Sequence, residues 1–130
     1  MANIVELREM TDDELEEMLE NDREEIFNLR FQLASARLED VSRIRTVRRE
    51  IAQLETVLRM RELAVDTALD QPQVQEVVEG KDWDAEAHFV YEDSAWRVDF
   101  TDENDDELIT TSVDLNSKRT KSRRARRELR

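Results

Sequence analysis

The feature that most constrains this chain is a pair of apolar stripes with helical spacing, separated by a short connection. The first stripe is interrupted by Asp22 and consists of Leu15, Leu19, Ile26, Leu29, Leu33 and Ala36. The second follows a heptad with one polar position, Arg61, and consists of Ile44, Val47, Ile51, Leu54, Leu58 and Val65. The connection, residues 38–42, is too short to run back along a long helix. The sequence therefore predicts a mainly α fold with a long antiparallel two-helix hairpin in residues 1–65.

The start of each helix has its own signal. Thr11 and Glu14 have the spacing of a capping box, in which each side chain accepts the backbone N–H of the other residue. The first helix is therefore predicted to start within about two residues of Asp12. Asp40 or Ser42 is the predicted cap of the second helix.

Composition excludes several classes of protein. There is no Cys, so disulfides and thiolate catalysis are excluded, and no apolar run approaches the ~20 residues that span a bilayer. The N-terminal segment carries Glu among few apolar residues, so no secretory leader is expected. The only histidine, His88, has no nucleophile motif around it, and the single Gly cannot form a phosphate-binding loop. We therefore expect no enzyme activity, cofactor, metal site or small-molecule substrate.

The net charge of −13 is unevenly distributed along the chain. Residues 1–40 carry −9, residues 41–65 carry +3, residues 66–115 carry −14 and residues 116–130 carry +7. Two local cationic segments in an acidic chain indicate a polyanionic partner, although a solvated surface is the alternative for any single charged run.

The C-terminal half has a different pattern. Residues 66–86 contain the only Pro and the only Gly and are predicted to be an acidic linker with one helical turn at Val74–Val78. Residues 87–115 contain segments with a period of two, His88–Tyr91, Trp96–Phe100 and Leu108–Val113, which predict a small antiparallel β-meander. Residues 116–130 form a basic tail, for which binding to RNA and closure onto the acidic segment of its own chain are both open.

Two surface features go beyond the apolar stripes. Phe27 and Phe31 lie about 100–150° around the first helix from Ile26, so the hairpin alone leaves them exposed and available for a protein contact. The C-terminal segment could equally cover them. Four arginines lie within seven residues of the second helix, and guanidinium groups so placed can bind phosphate oxygens.

These segments resemble a known family. Val5-Glu6-Leu7-Arg8, TDDEL at residues 11–15, EEIFNLRFQLAS at residues 24–35 and RIRTVRREIAQLETVL at residues 43–58 are similar to the bacterial form of the universal large-subunit ribosomal protein number twenty-nine. The resemblance covers about half of the chain. The chain has Gln53 and Glu55 where family members usually carry basic residues, and Ala36 where they often have Gly. It also differs from them in its acidic and basic C-terminal extension.

The resemblance implies a cytoplasmic structural constituent of the large ribosomal subunit that binds large-subunit rRNA near the polypeptide exit tunnel. It also implies a neighbouring exit-tunnel ribosomal protein as partner, with nascent-chain chaperones or targeting factors close by. The rRNA-binding residues expected from the motif, the arginine cluster and the basic tail are Asn28, Arg30, Gln32, Arg43, Arg45, Arg48, Arg49, Arg59, Lys118, Arg119, Lys121, Arg123, Arg124, Arg126 and Arg127. The alternative hypothesis is a protein–protein adaptor in which the hairpin and its acidic extension hold a basic partner.

Overall fold

A computed structural model describes residues 3–116, and this part of the chain forms four helices followed by three strands. The elements are α1 (Ile4–Glu9), α2 (Asp12–Ala34), α3 (Ser42–Leu69), α4 (Pro72–Val78), β1 (Asp84–Val90), β2 (Ala95–Thr101) and β3 (Glu107–Val113). The predicted mainly helical fold with a C-terminal antiparallel sheet is confirmed. The chain divides into two compact units, Met1–Glu62 and Leu63–Arg130.

The first unit begins with a short helix that the apolar stripes do not predict. The backbone N–H of Asn3 donates to Glu6 Oε2 at 3.2 Å at the start of α1. The predicted capping box at α2 is confirmed, because the Thr11 N–H donates to Glu14 Oε2 at 2.9 Å and the Glu14 N–H donates to Thr11 Oγ1 at 3.3 Å. Both helix starts therefore satisfy backbone donors with side-chain oxygens.

Residues from α1, α2 and α3 share the core of this unit. Its buried cluster consists of Leu7, Leu15, Leu19, Leu54 and Val57. Ile26 and Val47 are also buried, whereas Leu33 and Ala36 at the end of the first stripe are exposed.

The end of α2 is a Schellman motif. The Arg37 N–H donates to the Gln32 carbonyl at 2.8 Å, and the Ala36 N–H donates to the Leu33 carbonyl at 3.1 Å. This geometry places Ala36 in the left-handed region with φ +56°. Ala36 therefore ends the helix instead of continuing its apolar stripe.

The start of α3 is held by Asp40, whose Oδ1 accepts the Ser42 backbone N–H at 3.0 Å and also the Ser42 hydroxyl. These two hydrogen bonds hold the pKa of Asp40 below its ordinary value. Asp40, one of the two predicted caps, therefore binds Ser42, the first residue of α3, through its side chain.

The second unit contains the whole segment that is predicted to be a linker, residues 66–86. Residues 66–86 include the last turn of α3, the whole of α4 and the first residues of β1. Gln71 is the N-cap of α4 and Pro72 follows at its first position, where a missing N–H removes no helical hydrogen bond. The segment is thus largely regular structure, and not only one helical turn.

The sheet has the strand order β1-β2-β3, with both neighbouring pairs antiparallel. Trp96, Val98 and Phe100 alternate along β2 and are buried, as the period of two predicts. The ring of Phe100 meets Trp83 edge to face at a centroid distance of 5.6 Å. Helix α4 packs against β3, where the Thr111 hydroxyl donates to Gln71 Oε1 at 2.6 Å. This helix gives a three-stranded sheet the apolar partner that it needs.

Candidate nucleic-acid interface

The arginines expected to bind RNA are mostly on one face of α3. Arg45, Arg48, Arg49 and Arg59 are exposed. Arg45 and Arg49 lie about 160° around the helix from the buried Val47, and Arg48 and Arg59 lie about 100–120° from it. At 1.5 Å per residue, the distance from Arg45 to Arg59 along the helix is about 21 Å. This set of residues, together with Arg30 of α2, is called the arginine face below.

The arginines that are predicted to bind rRNA differ in whether they form ion pairs with carboxylates of the chain. Arg59 Nη1 lies 2.7 Å from Glu62 Oε2, and Arg43 Nη2 lies 2.7 Å from Glu25 Oε1. The hydrogen bond to Glu25 is the main cause that raises the pKa of Arg43. Among residues 3–116, Arg30, Arg45, Arg48 and Arg49 have no hydrogen bond or ion pair, so their donors are available to an external anion.

Arg30 and Arg48 come from different helices but line the same cleft. The cleft has a volume of 320 Å³ and is lined by Ile26, Arg30, Arg48, Ile51, Ala52 and Glu55. Beside it, Arg23 donates to Glu20 at 2.9 Å and to Glu55 at 3.2 Å, which links α2 to α3. The apolar floor and Glu55 are residues that the sequence analysis does not assign to the site. The spacing of Arg48, Ala52 and Glu55, four and seven residues apart on one helix face, is the signal that could find them.

Asn28 and Gln32 are exposed but lie elsewhere on α2. Each is two residues from Arg30, which corresponds to about 160° around the helix. They share the side of α2 that carries Glu25, three residues before Asn28 and seven before Gln32. The structure therefore does not bring these two amides together with the arginine face.

That other side of the helix pair is acidic. Asp22 is half-buried there, and its pKa is raised first by burial and then by the charges of Glu50 and Glu25, while Arg43 acts in the opposite direction. The two sides of α2 and α3 therefore differ in the sign of their charge. A polyanion meets attraction on the arginine face and repulsion on the acidic side.

The aromatic pair is exposed. Phe27 is 69% exposed and Phe31 is 66% exposed, and each lies within about 100° of Arg30 around α2. Exposed apolar patches of this kind are typical of interaction surfaces.

The remaining predicted ligands fall outside the described residues, namely Lys118, Arg119, Lys121, Arg123, Arg124, Arg126 and Arg127. In the described part of the chain, no cluster of His, Asp and Glu has the arrangement of a metal site. No helix of that part is both long and apolar enough to cross a bilayer.

Fold and surface together describe a mainly helical protein that presents a group of exposed arginines along one face of α3. The sequence model described as Ribosomal L29 protein matches residues 5–61. The large ribosomal subunit protein uL29 of Mycobacterium tuberculosis (strain ATCC 25618 / H37Rv) is 57% identical over 65 residues, which are 50% of this chain and 84% of that protein. The chain belongs to the ribosomal L29 protein family, which confirms the resemblance.

Two other relatives support the same family assignment. The uL29 protein of Mycolicibacterium smegmatis (strain ATCC 700084 / mc(2)155) is 58% identical over 60 residues, covering 46% of this chain and 78% of that protein. The uL29 protein of Staphylococcus aureus (strain JH9) is 55% identical over 58 residues, covering 45% of this chain and 84% of that protein. The family is a structural, non-enzymatic kind of protein. The match ends at residue 61, so α4 and the three strands lie outside it.

Proposed function

We propose that this chain is a structural constituent of the large ribosomal subunit in the cytoplasm and binds large-subunit rRNA with its arginine face, near the polypeptide exit tunnel. The observation that carries the proposal is a group of exposed arginines within the segment that matches the family. Their side chains form no ion pair among residues 3–116, and they are Arg30, Arg45, Arg48 and Arg49. The relatives are named as large ribosomal subunit proteins.

The contacts between α2 and α3 support an antiparallel hairpin as the scaffold. Arg61 near the end of the family segment pairs with Asp12 at the start of α2, whereas Arg43 at the start of α3 pairs with Glu25 further along α2. In this arrangement Arg30 of α2 and Arg48 of α3 line the same cleft. The hairpin thus holds guanidinium groups from both helices at fixed spacing, which favours binding to several phosphates at once.

The predicted ligands contribute unequally in this proposal. Arg30, Arg45, Arg48 and Arg49 provide the principal phosphate contacts because no carboxylate in the described chain occupies them. Arg43 and Arg59 must exchange Glu25 and Glu62 for phosphate, so their contribution is smaller. Asn28 and Gln32 can reach rRNA only where it wraps to the other side of α2. The basic tail adds further cations for the same polyanion.

The exposed Phe27 and Phe31 favour a second, protein-binding role. In the proposed location, the partner for this patch is a neighbouring exit-tunnel ribosomal protein, and chaperones or targeting factors that act on nascent chains dock nearby. A protein–protein adaptor that does not bind rRNA is the alternative function, with the acidic extension holding a basic partner.

The test is sedimentation of full-length variants with the large subunit in a sucrose gradient at increasing salt. Arg45→Glu/Arg49→Glu changes the charge of the arginine face by −4, and Lys81→Glu/Arg97→Glu makes the same change outside the family segment. Each phosphate contact contributes about 0.7–0.9 to the slope of log affinity against log salt. We expect the first double variant to leave the large-subunit fraction at lower salt than the control.

The adaptor hypothesis predicts a different pattern. There, Phe27→Ser abolishes the association, while Arg45→Glu/Arg49→Glu behaves like its charge-matched control. That result would refute rRNA binding by the arginine face. Circular dichroism of each variant establishes that the helices are retained.

A further inference from the structure

The cleft between α2 and α3 has the composition of a site for a single planar group. Its apolar lining, called its floor here, consists of Ile26, Ile51 and Ala52, and it is also lined by Arg30 from one helix and Arg48 from the other. At 320 Å³, it lies at the lower end of the volumes of small-molecule sites. Apolar side chains beside two arginines are unusual for a surface that only neutralises phosphates, because phosphates require no apolar contact.

The polar groups of the cleft supply both donors and an acceptor. Neither Arg30 nor Arg48 has an ion pair or hydrogen bond within residues 3–116, so both guanidinium forks are available. Glu55 Oε1 accepts from Arg23 at 3.2 Å, while Glu55 Oε2 accepts no hydrogen bond from residues 3–116. The cleft therefore offers at least one fork of donors and one carboxylate oxygen to whatever enters it.

We propose that the cleft receives one unstacked guanine base of an RNA strand. The base lies over the apolar floor and stacks on a guanidinium plane, which is how proteins hold splayed-out bases. Arg30 or Arg48 donates to the guanine O6 and N7, the commonest specific arginine contact with a base. Glu55 accepts from the amino group at C2. Adenine has an amino group in place of O6, and uracil has no N7, so neither offers the adjacent pair of acceptors that one guanidinium group binds in guanine.

The flanking residues indicate that the guanine belongs to a polymer. Arg45 and Arg49 lie on the adjoining part of α3, within one turn of Arg48, and are exposed without ion pairs in the described chain. They can bind the phosphates on either side of the inserted nucleotide, whereas a free mononucleotide carries only one of these phosphates. This inference rests on the proposed rRNA binding and adds a preference for a base, which phosphate contacts alone cannot provide.

The experiment measures the binding of fluorescein-labelled RNA nonamers to the full-length chain by anisotropy. The nonamers have uridine at every position except the centre, which is guanosine, adenosine or uridine, so their charges are equal. We expect the guanosine nonamer to bind about tenfold more tightly than the other two. Guanosine monophosphate alone is expected to compete only at much higher concentration. Competition by guanosine monophosphate at the affinity of the nonamer would overturn the assignment to an RNA strand.

Ala52→Leu fills the floor of the cleft without changing charge, and Ala34→Leu is the same change at an exposed helical position outside the cleft. We expect Ala52→Leu to reduce the preference for guanosine to less than twofold and Ala34→Leu to leave it intact. Equal binding of the three nonamers by the unaltered chain overturns the guanine site, and so does an unchanged preference in Ala52→Leu. If the chain still sediments with the large subunit in those cases, the proposed function stands and only the base site fails. If it does not sediment, the proposed function itself is refuted.

Discussion

The buried guanidinium of Arg61 makes the strongest stability prediction for the first unit. Its side chain is only 10% exposed and forms an ion pair with Asp12 at the start of α2. Nη2 also donates to the carbonyl of Arg8 at 3.0 Å and to that of Met10 at 2.6 Å, between α1 and α2. One side chain of α3 therefore holds the turn that joins the first two helices.

We expect Arg61→Met to destabilise the chain by about 3 kcal/mol. Methionine retains the apolar stem of the side chain but leaves the Arg8 and Met10 carbonyls without a donor, at about 1 kcal/mol or more each. Loss of the pair with Asp12 adds less than about 1 kcal/mol, because the Asp12 side chain is 56% exposed and water screens the interaction. Arg61→Lys is expected to lose about half as much unfolding free energy, since an ammonium group retains the charge but not the several N–H donors of the planar guanidinium group.

The assay is urea denaturation followed by circular dichroism at 222 nm, together with hydrogen exchange of the amides in α1. Arg59→Met is the matched control, because Arg59 carries the same side chain two residues away and, among residues 3–116, pairs at the surface with Glu62 alone. We expect the control to change stability by less than about 0.5 kcal/mol. If Arg61→Met unfolds with the same midpoint as Arg59→Met, the hydrogen bonds of the Arg61 side chain contribute no net stability and the reasoning is wrong.

Three further predictions concern the connection between α2 and α3 and its surroundings. Ala36→Gly is expected to raise the unfolding free energy by about 0.5–1 kcal/mol in urea denaturation, because glycine adopts a φ of +56° without strain. Asp22→Asn is expected to stabilise the chain at pH 7, since burial and neighbouring carboxylates raise the pKa of Asp22 and so disfavour its ionised form in the folded state. The advantage should shrink as the pH falls through that raised pKa and vanish below the ordinary value of 3.8 in thermal melts. Asp40→Ala is expected to destabilise the chain at neutral pH, and melts should show the difference disappearing in acid, as the pH falls below 3.8 and through the lowered pKa of Asp40.

The helix positions could be predicted from the sequence where apolar periodicity and caps agree. The start of α2 is the best case, because Thr11 and Glu14 provide a local signal that needs no tertiary contact. The end of α3 is harder, since nothing in the sequence stops the helix at Val65. It continues to Leu69, close to Pro72, where the restriction on residues before proline ends helices. Helix α1 is too short for a periodic signal, although Asn3 and Glu6 have the spacing of a capping box.

The first and last residues of a strand depend on which neighbouring strand it pairs with, and the sequence of one segment does not reveal that pairing. The prediction starts the first strand at His88, whereas β1 begins at Asp84. Asp84 and Glu86 have low strand propensity, but they pair with Thr101 and Asp99 of β2 and are exposed. Pairing with a neighbouring strand thus extends β1 beyond its own local preference.

For the candidate site, the sequence could indicate which arginines share a helix face but not which carboxylates occupy them. The ion pair of Arg43 with Glu25 joins residues 18 positions apart, so it depends on how α2 meets α3. The same holds for the cleft that brings Arg30 to Arg48. A heptad containing Arg61 marks a polar interruption, but its role emerges only when the α1–α2 turn is placed beside it.

The aromatic packing of the sheet gives this chain an internal optical label. Both tryptophans and the single tyrosine lie in the second unit, at Trp83, Trp96 and Tyr91, so the first unit has no residue that absorbs strongly near 295 nm. Trp96 is buried and meets Phe89 at a centroid distance of 5.3 Å, so its emission responds to loss of that packing. Fluorescence excited at 295 nm therefore reports on the second unit and not on the helices of the segment that matches the family.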